Sequence, residues 1–304
     1  MLKQSGKEQK NFIKYMNDEK IFSKAKKEFE KFGIAADSFE KIREKEGIAL
    51  LRIKSGKRSF ILKYFDNADF RREIRIYEIL EETGIETVKV LGKTKKAILM
   101  EDISESKTLR LGKKEDLSDP LVAKALAKWY KKLHAAGYEY LKIHSEPFYC
   151  ENSVITRENL VFIKEKTKTE DLPVWKTIDE KFSKIKREIE SMKKTFNYND
   201  FYYTNLVVSK DKTKAFMFDY NLFGKGPAYS DINNVGWSLS EKAKEAFLEE
   251  YGKIDEHEKL VEEIAMVLSS LFFACKREEF PDWGNELLEE LKNGFNEKLE
   301  KMLN

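Results

Sequence analysis

Asp200, Asn205 and Asp219 are grouped around one short stretch of β-like text. It runs Tyr198-Asn199-Asp200-Phe201-Tyr202-Tyr203-Thr204-Asn205, then Leu206-Val207-Val208, a polar turn from Ser209 to Lys214, Ala215-Phe216-Met217, and finally Phe218-Asp219-Tyr220-Asn221. A short hairpin brings its ends together, so Asn205 and Asp219 can aim hard oxygen ligands at one point, as Mg²⁺ requires. Asp200 lies five residues before Asn205. A carboxylate there could take a proton from an attacking hydroxyl while a metal ion neutralises phosphate charge. Two residues far upstream join this set. Lys63 sits among Phe60, Ile61, Leu62, Tyr64 and Phe65, a poor place for an ammonium without an anion. Glu73 follows in the next predicted helix and could hold Lys63 by an ion pair, leaving the ammonium aimed at phosphates. The same text would also suit a strand with an outward Lys and a solvated Glu.

The elements that must position these residues fall into two groups. Residues 1–35, rich in Lys and Glu with Phe12, Ile13, Met16, Ile21 and Phe22 interspersed, predict a helical extension ending near Gly33. Strands are predicted around Phe39 to Arg43, over Ile48 to Lys54 and over Ser59 to Tyr64, the last two joined by a Ser55-Gly56-Lys57 turn. A helix follows with Phe70, Ile74, Tyr77 and Leu80 on one face and Gly84 at its end, then strands at Val88 to Leu91 and Ala97 to Met100. Beyond Met100 the pattern is helical apart from the embedded hairpin. Pro120 opens a helix carrying Val122, Leu126, Trp129 and Leu133, with Gly137 as its expected end. Ile178, Phe182, Ile185, Ile189 and Met192 mark another. Ser240 caps a third, and Asp255 with Glu258 starts the apolar helix that runs to Cys275. The fold class is therefore α+β: a β-rich N-terminal lobe over residues 1–102 and a larger, mostly helical lobe over 103–304, with the hinge near Met100 to Ile103.

Composition narrows the function classes. Apolar residues make up 41% of 304, which argues for a packed core. Charged residues reach 37%, but 57 basic against 54 acidic leaves +3, so a dominant field for nucleic acid or a membrane surface is not expected. Cys150 and Cys275 are far apart and lack neighbouring ligands at zinc spacing. The opening residues carry no apolar signal core, and the longest apolar stretch, Ile264 to Cys275, is too short to span a bilayer. A cytoplasmic protein without membrane or nucleic-acid partners is expected. Gly92-Lys93-Thr94 resembles the end of a phosphate-binding P-loop, but Thr87 stands where that motif needs glycine. His134, His144 and His257 fall in no metal-binding motif.

Taken in order, these residues resemble the aminoglycoside phosphotransferase and choline kinase superfamily, which has a protein-kinase-like fold. Tyr198-Asn199-Asp200 through Asn205 is similar to the family's His-Gly-Asp-x-x-x-x-Asn loop, and Asp219 to its metal-binding Asp, with 219 − 200 = 19 a fitting separation. Gly226-Pro227-Ala228-Tyr229-Ser230-Asp231-Ile232 resembles the Gly-x-x-x-x-Asp-Leu segment, Leu99-Met100-Glu101-Asp102 the interlobe hinge, and Leu126 to His134 the helix ending in Leu-His. The resemblance implies that Asp200 is the catalytic base and that Asn205 and Asp219 hold Mg²⁺. It implies that Lys63 touches the α- and β-phosphates of ATP or GTP and that Glu73 orients it. Main-chain groups of Glu101 and Ile103 would meet the purine edge, with the Met100 side chain behind it, and Asp231 would brace the catalytic loop. The chain departs from the pattern at Tyr198, where the family usually has His. It departs again at Glu44-Lys45-Glu46-Gly47, a nucleotide loop with a single glycine, and at Asp219-Tyr220-Asn221 in place of Asp-Phe-Gly.

The expected reaction is transfer of a γ-phosphoryl group to a hydroxyl of a small-molecule acceptor. Glu249, Glu250, Asp255, Glu256, Glu258, Glu262 and Glu263 would suit an amine-bearing acceptor, as in aminoglycoside phosphotransferases. Tyr229, Trp237, Tyr251, Phe272, Phe273 and Trp283 could instead cage a quaternary ammonium, as in choline or ethanolamine-type kinases. Solvated helix faces and core packing are the plainer account of the same residues. A nucleotide-binding regulator that has lost transfer activity is the alternative from another class. The acceptor's identity, the choice of ATP over GTP and the oligomeric state are not encoded in any motif.

Overall fold

Alternation of buried and open side chains, punctuated by two-residue turns, builds the first sheet. A computed structural model describes residues 19–304, so the expected helical positions Phe12, Ile13 and Met16 lie outside the described residues. Residues 19–29 form α1, which tightens into a 3₁₀ turn at Glu30–Phe32 and stops at Gly33, left-handed at φ 66°. Strands β1 (Ser38–Lys45), β2 (Ile48–Ser55) and β3 (Arg58–Phe65) follow as a meander. Both connections are tight: Glu46 and Gly47 have φ of 54° and 80°, and Gly56 has φ 57°. Along β2, Ala49, Leu51 and Ile53 are fully buried, the period of two that a one-faced core requires. Helix α2 (Arg72–Glu82) leads to β4 (Val90–Lys93) and β5 (Ala97–Glu101), completing an antiparallel sheet of order β1-β2-β3-β5-β4. Its β4 starts two residues later than the sequence suggests and carries a register shift between Val90 and Gly92. Ala25 and Phe29 of α1 pack on Leu51, Ile53, Leu62 and Leu99.

Helices dominate the remainder. Helix α3 (Pro120–Ile143) is capped by Asp119, whose side chain accepts from Leu121 and Val122 main-chain N–H groups. It runs straight through Gly137, which corrects the expected stop. A Cβ at Gly137 would lie 2.2 Å from the Phe196 nitrogen, so this glycine allows a strand to approach the helix and does not end it. Helices α4 (Arg157–Thr167) and α5 (Pro173–Ser191) precede three short strands, β7 (Thr195–Asn197), β8 (Leu206–Ser209) and β9 (Ala215–Met217). A three-residue strand β6 (Leu109–Leu111) adds to the β8–β9 hairpin, and β10 (Gly224–Gly226) pairs with β7. The chain closes with α6 (Ala228–Ser238), α7 (Glu241–Tyr251), α8 (Glu256–Cys275), α9 (Asp282–Lys292) and α10 (Phe295–Leu303).

Two units result. The first joins Tyr202–Asn221 to the described part of Met1–Asp116; the second comprises Leu117–Phe201 and Leu222–Asn304. This division differs from the sequence-based boundary after residue 102, because β6 and the β8–β9 hairpin share one sheet. The core of the second unit joins Trp175, Ile178 and Ile185 of α5 to Ile264, Leu268 and Leu271 of α8, sealed by Phe295 and Leu299 of α10. The α+β class with a sheet-rich N-terminal region and a helical C-terminal region is thus observed. Among the described residues no helix is long and apolar enough to cross a membrane.

Candidate active site

In the first unit, the strand pairing that places Lys63 opposite Leu50 and Ile98 turns its side chain below the surface, where only 5% of the residue is exposed. Such an ammonium must be paired. Lys63 Nζ donates to Glu73 Oε1 at 2.8 Å and to Asp219 Oδ1 at 2.7 Å. Glu73 Oε2 lies 2.6 Å from the same nitrogen but off the hydrogen-bond axis, so it adds charge without being a satisfied acceptor. Glu73 is fully buried in the first turn of α2. Its Oε1 also accepts the Tyr220 N–H at 3.2 Å, which ties the helix to the segment that bears Asp219. Burial raises the Glu73 carboxyl, the Lys63 charge opposes that, and the Asp219 charge adds to it; the net direction is upward. For Lys63 burial acts downward, but the Glu73 and Asp219 charges outweigh it and the ammonium is held more firmly.

The β8–β9 hairpin brings Asn205 and Asp219 to its open end. Leu206 pairs with Met217, and the Phe218 N–H donates to the Asn205 carbonyl at 3.0 Å. The chain then turns at Asp219, left-handed at φ 66°, a conformation that costs a non-glycine residue roughly 1 kcal/mol. The turn leaves the Asp219 carboxylate accepting from Lys63 and, at 2.6 Å, from Asn221 Nδ2. Asn221 Oδ1 in turn lies 3.5 Å from Lys63 Nζ. Asn221 was not singled out as a site residue from sequence. Its position two after Asp219, where the family pattern has glycine, was the available signal.

Met100 and Glu101 end β5, with Met100 5% exposed. The Glu101 N–H is engaged by the Lys89 carbonyl. Ile103 opens a 3₁₀ turn and is 6% exposed; among the described residues its N–H meets no main-chain carbonyl. That leaves one directed donor beside the end of the strand. The loop at Glu44 to Gly47 is a tight hairpin turn in which Lys45 and Glu46 pair at 3.1 Å.

In the second unit, Asp200 follows β7 on a loop that Asp231 braces. The Asp231 carboxylate, 1% exposed on α6, accepts the N–H groups of Tyr198 at 2.9 Å and Asn199 at 3.0 Å. Asn199 adopts φ 63°, which asparagine tolerates, and its Nδ2 donates to the Leu222 carbonyl. Tyr198 is fully buried with its ring edge-on to Trp129, so the position where the family has His is filled by packing. His134 is buried too. Its Nε2 is 3.1 Å from Asp231 and its Nδ1 2.8 Å from the Tyr251 hydroxyl, a fixed pairing that sequence spacing did not reveal.

Among the described residues no three His, Cys, Asp or Glu side chains converge as a metal site. One amide and one carboxylate at a hairpin end match Mg²⁺, which takes one or two protein oxygens and fills its shell with phosphate and water. The Asp219 carboxylate, 25% exposed and already drawing the Lys63 ammonium, shows the demand for positive charge that such an ion meets.

A model of the Phosphotransferase enzyme family matches residues 49–264, more than two thirds of the chain. No curated protein matches in sequence. Among solved structures, a choline kinase from Streptococcus pneumoniae superposes with a TM-score of 0.59 at 14% identity, over 91% of this chain and 99% of that one. An ethanolamine kinase from Plasmodium vivax gives 0.57 at 17%, over 86% and 84%. A macrolide 2′-phosphotransferase from Brachybacterium faecium gives 0.56 at 14%, over 86% and 95%. At these identities the likeness is one of fold.

Proposed function

The chain belongs to the Phosphotransferase enzyme family, and on that premise we propose that it is a Mg²⁺-dependent kinase moving the γ-phosphoryl group of ATP or GTP to a hydroxyl of a small acceptor. The observation that supports this most is the buried Lys63 held between Glu73 and Asp219. An ammonium held in place by two carboxylates is preorganised to meet an anion.

In this reading Lys63 meets the α- and β-phosphates while Glu73 keeps its ammonium in place. The Ile103 N–H and the Glu101 carbonyl address the purine edge, and Met100 packs behind it. Asn205 and Asp219 would hold Mg²⁺, which when bound supplies neutralisation of the phosphate charge. Asp200 accepts the proton of the acceptor hydroxyl as its oxygen forms the new bond to the γ-phosphorus and the bond to the bridging β,γ-oxygen breaks. Asp231 acts on Asp200 through the main chain, by fixing the Tyr198 and Asn199 peptide groups. Such a reaction needs positioning and charge compensation more than covalent participation.

A screen of aminoglycosides, choline, ethanolamine, sugars and amino alcohols with ATP and GTP, read as acceptor-dependent nucleoside diphosphate release, tests the reading. Asp200→Asn is expected to lower turnover about 10²–10⁴-fold while nucleotide affinity stays at the wild-type value. Equal turnover in the variant removes Asp200 from the role. Absence of acceptor-dependent release across the screen favours the nucleotide-binding regulator.

A further inference from the structure

Asp219 presents its two carboxylate oxygens unequally. Oδ1 accepts from Lys63 Nζ at 2.7 Å and from Asn221 Nδ2 at 2.6 Å. Among the described residues no hydrogen bond reaches Oδ2, and the side chain is 25% exposed. An ionised carboxylate has about four lone-pair sites, two on each oxygen, so two donors fill Oδ1 and leave Oδ2 to an outside ligand. The orientation of the Asn221 amide follows from charge. Its nitrogen faces the carboxylate and its oxygen lies 3.5 Å from the Lys63 ammonium, whereas a flipped amide would set oxygen against oxygen and N–H against the ammonium.

The main chain around this contact is fixed from both sides by residues of the first unit alone. The Tyr220 N–H donates to Glu73 Oε1 at 3.2 Å, its hydroxyl donates to the Met217 carbonyl at 2.6 Å and lies 2.8 Å from Thr87 Oγ1, and its ring stands edge-on to Tyr77. On the other side Arg72 Nη2 donates to the Asn221 carbonyl at 2.5 Å, from the same first turn of α2 that carries Glu73. With the backbone held, the freedom left to Asp219 is rotation of its carboxylate about the Cβ–Cγ bond, a torsion with broad minima. A single donor would let either oxygen turn toward it; a second donor on the same oxygen opposes that turn. A glycine at position 221, as in the Asp-Phe-Gly pattern, has no side chain to supply it.

We propose that Asn221 is a positioning residue that makes Asp219 a one-oxygen ligand and so biases the site toward Mg²⁺ and against Ca²⁺. The proposal rests on the kinase reading, which supplies the ion and the nucleotide. Mg²⁺ demands near-octahedral geometry at about 2.0–2.1 Å and keeps several waters, a shell in which one oxygen per carboxylate fits. Ca²⁺ takes about 6–8 oxygens at about 2.3–2.6 Å and gains from a carboxylate that gives both. With Oδ1 filled, the second oxygen is withheld from the larger ion. The Asn221 side chain does this as a neutral group, adding no charge to a cluster that already holds two carboxylates and one ammonium.

The test is calorimetric titration of the full chain with ATP and with GTP, each in excess Mg²⁺ or excess Ca²⁺, for wild type, Asn221→Ala and Asn221→Leu, the last of similar size but without a donor. Wild type is expected to bind nucleotide at least about tenfold more tightly with Mg²⁺ than with Ca²⁺. In both variants, checked for folding by circular dichroism, the Ca²⁺ arm should tighten and the ratio fall to about threefold or less, because Oδ1 regains a lone pair for the ion. A side chain that merely packs would weaken both arms alike and leave the ratio unchanged. Wild-type binding as tight with Ca²⁺ as with Mg²⁺, or an unchanged ratio in a folded variant, overturns the proposal, while metal-dependent nucleotide binding in those same titrations keeps the kinase reading. No binding of either nucleotide with either ion defeats the kinase reading and the proposal with it.

Discussion

Lys63, Glu73 and Asp219 in the first unit, and Glu151 and Glu262 in the second, all place ionisable groups below the surface, yet only the first set contains both signs. In the first set the Lys63 ammonium is held by both carboxylates and offsets the repulsion between them. In the second set two carboxyl groups lie beside neutral amides and hydroxyls, and burial pushes both upward. A preformed charge array suits phosphates that bring their own charge.

Three substitutions break or sharpen this contrast. The larger effect belongs to Lys63→Met, which leaves Glu73 buried without its cation and should destabilise the protein by about 3–5 kcal/mol in denaturant titration. Adding Glu73→Gln to it should recover part of that loss, a positive coupling that a solvated Lys and Glu would not show. Glu262→Gln should do the reverse and stabilise. The folded-state value near 8 exceeds that of an ordinary carboxyl, 4.5, so the native state keeps a proton that the unfolded chain gives up. Stability from this group is fully present below about pH 4.5 and lost as pH rises toward 8. A glutamine is neutral throughout. The variant should therefore match wild type near pH 5 and exceed it by about 1–3 kcal/mol at pH 8.5, read from Tm against pH. Parallel Tm curves for the two proteins would show that the Glu262 carboxyl is already ionised in the native state.

Much of the first unit was legible in the sequence because its determinants are local. The alternation in Ile48 to Ser55 and the Gly56 turn specify β2 and β3, and the polar turn at Ser209 to Lys214 specifies the hairpin that joins the backbones of Asn205 and Phe218. Lys63 could be paired with Glu73 on paper because only one strand end and one helix start separate them. The second unit hid more. Gly137 reads as a helix stop until the Phe196 main chain is seen against it, 59 residues away (196 − 137). Strands β6 and β10 have three residues each and exist through partners at Ser209 and Asn197, too far along the chain for any window to join. Glu262 stood in an acidic run in which every member looked equally solvated. Only the fold shows that its neighbours have partners and that it meets Asn152, 110 residues upstream.

The most direct test of the account is equilibrium titration of ATP and of GTP, with and without Mg²⁺, against wild type and Asp219→Ala. The account predicts nucleotide binding that strengthens with Mg²⁺ in the wild type and loses that dependence in the variant, because the carboxylate that accepts from Lys63 is the one proposed to hold the ion. Superimposable curves for the two proteins, or wild-type binding indifferent to Mg²⁺, would contradict it.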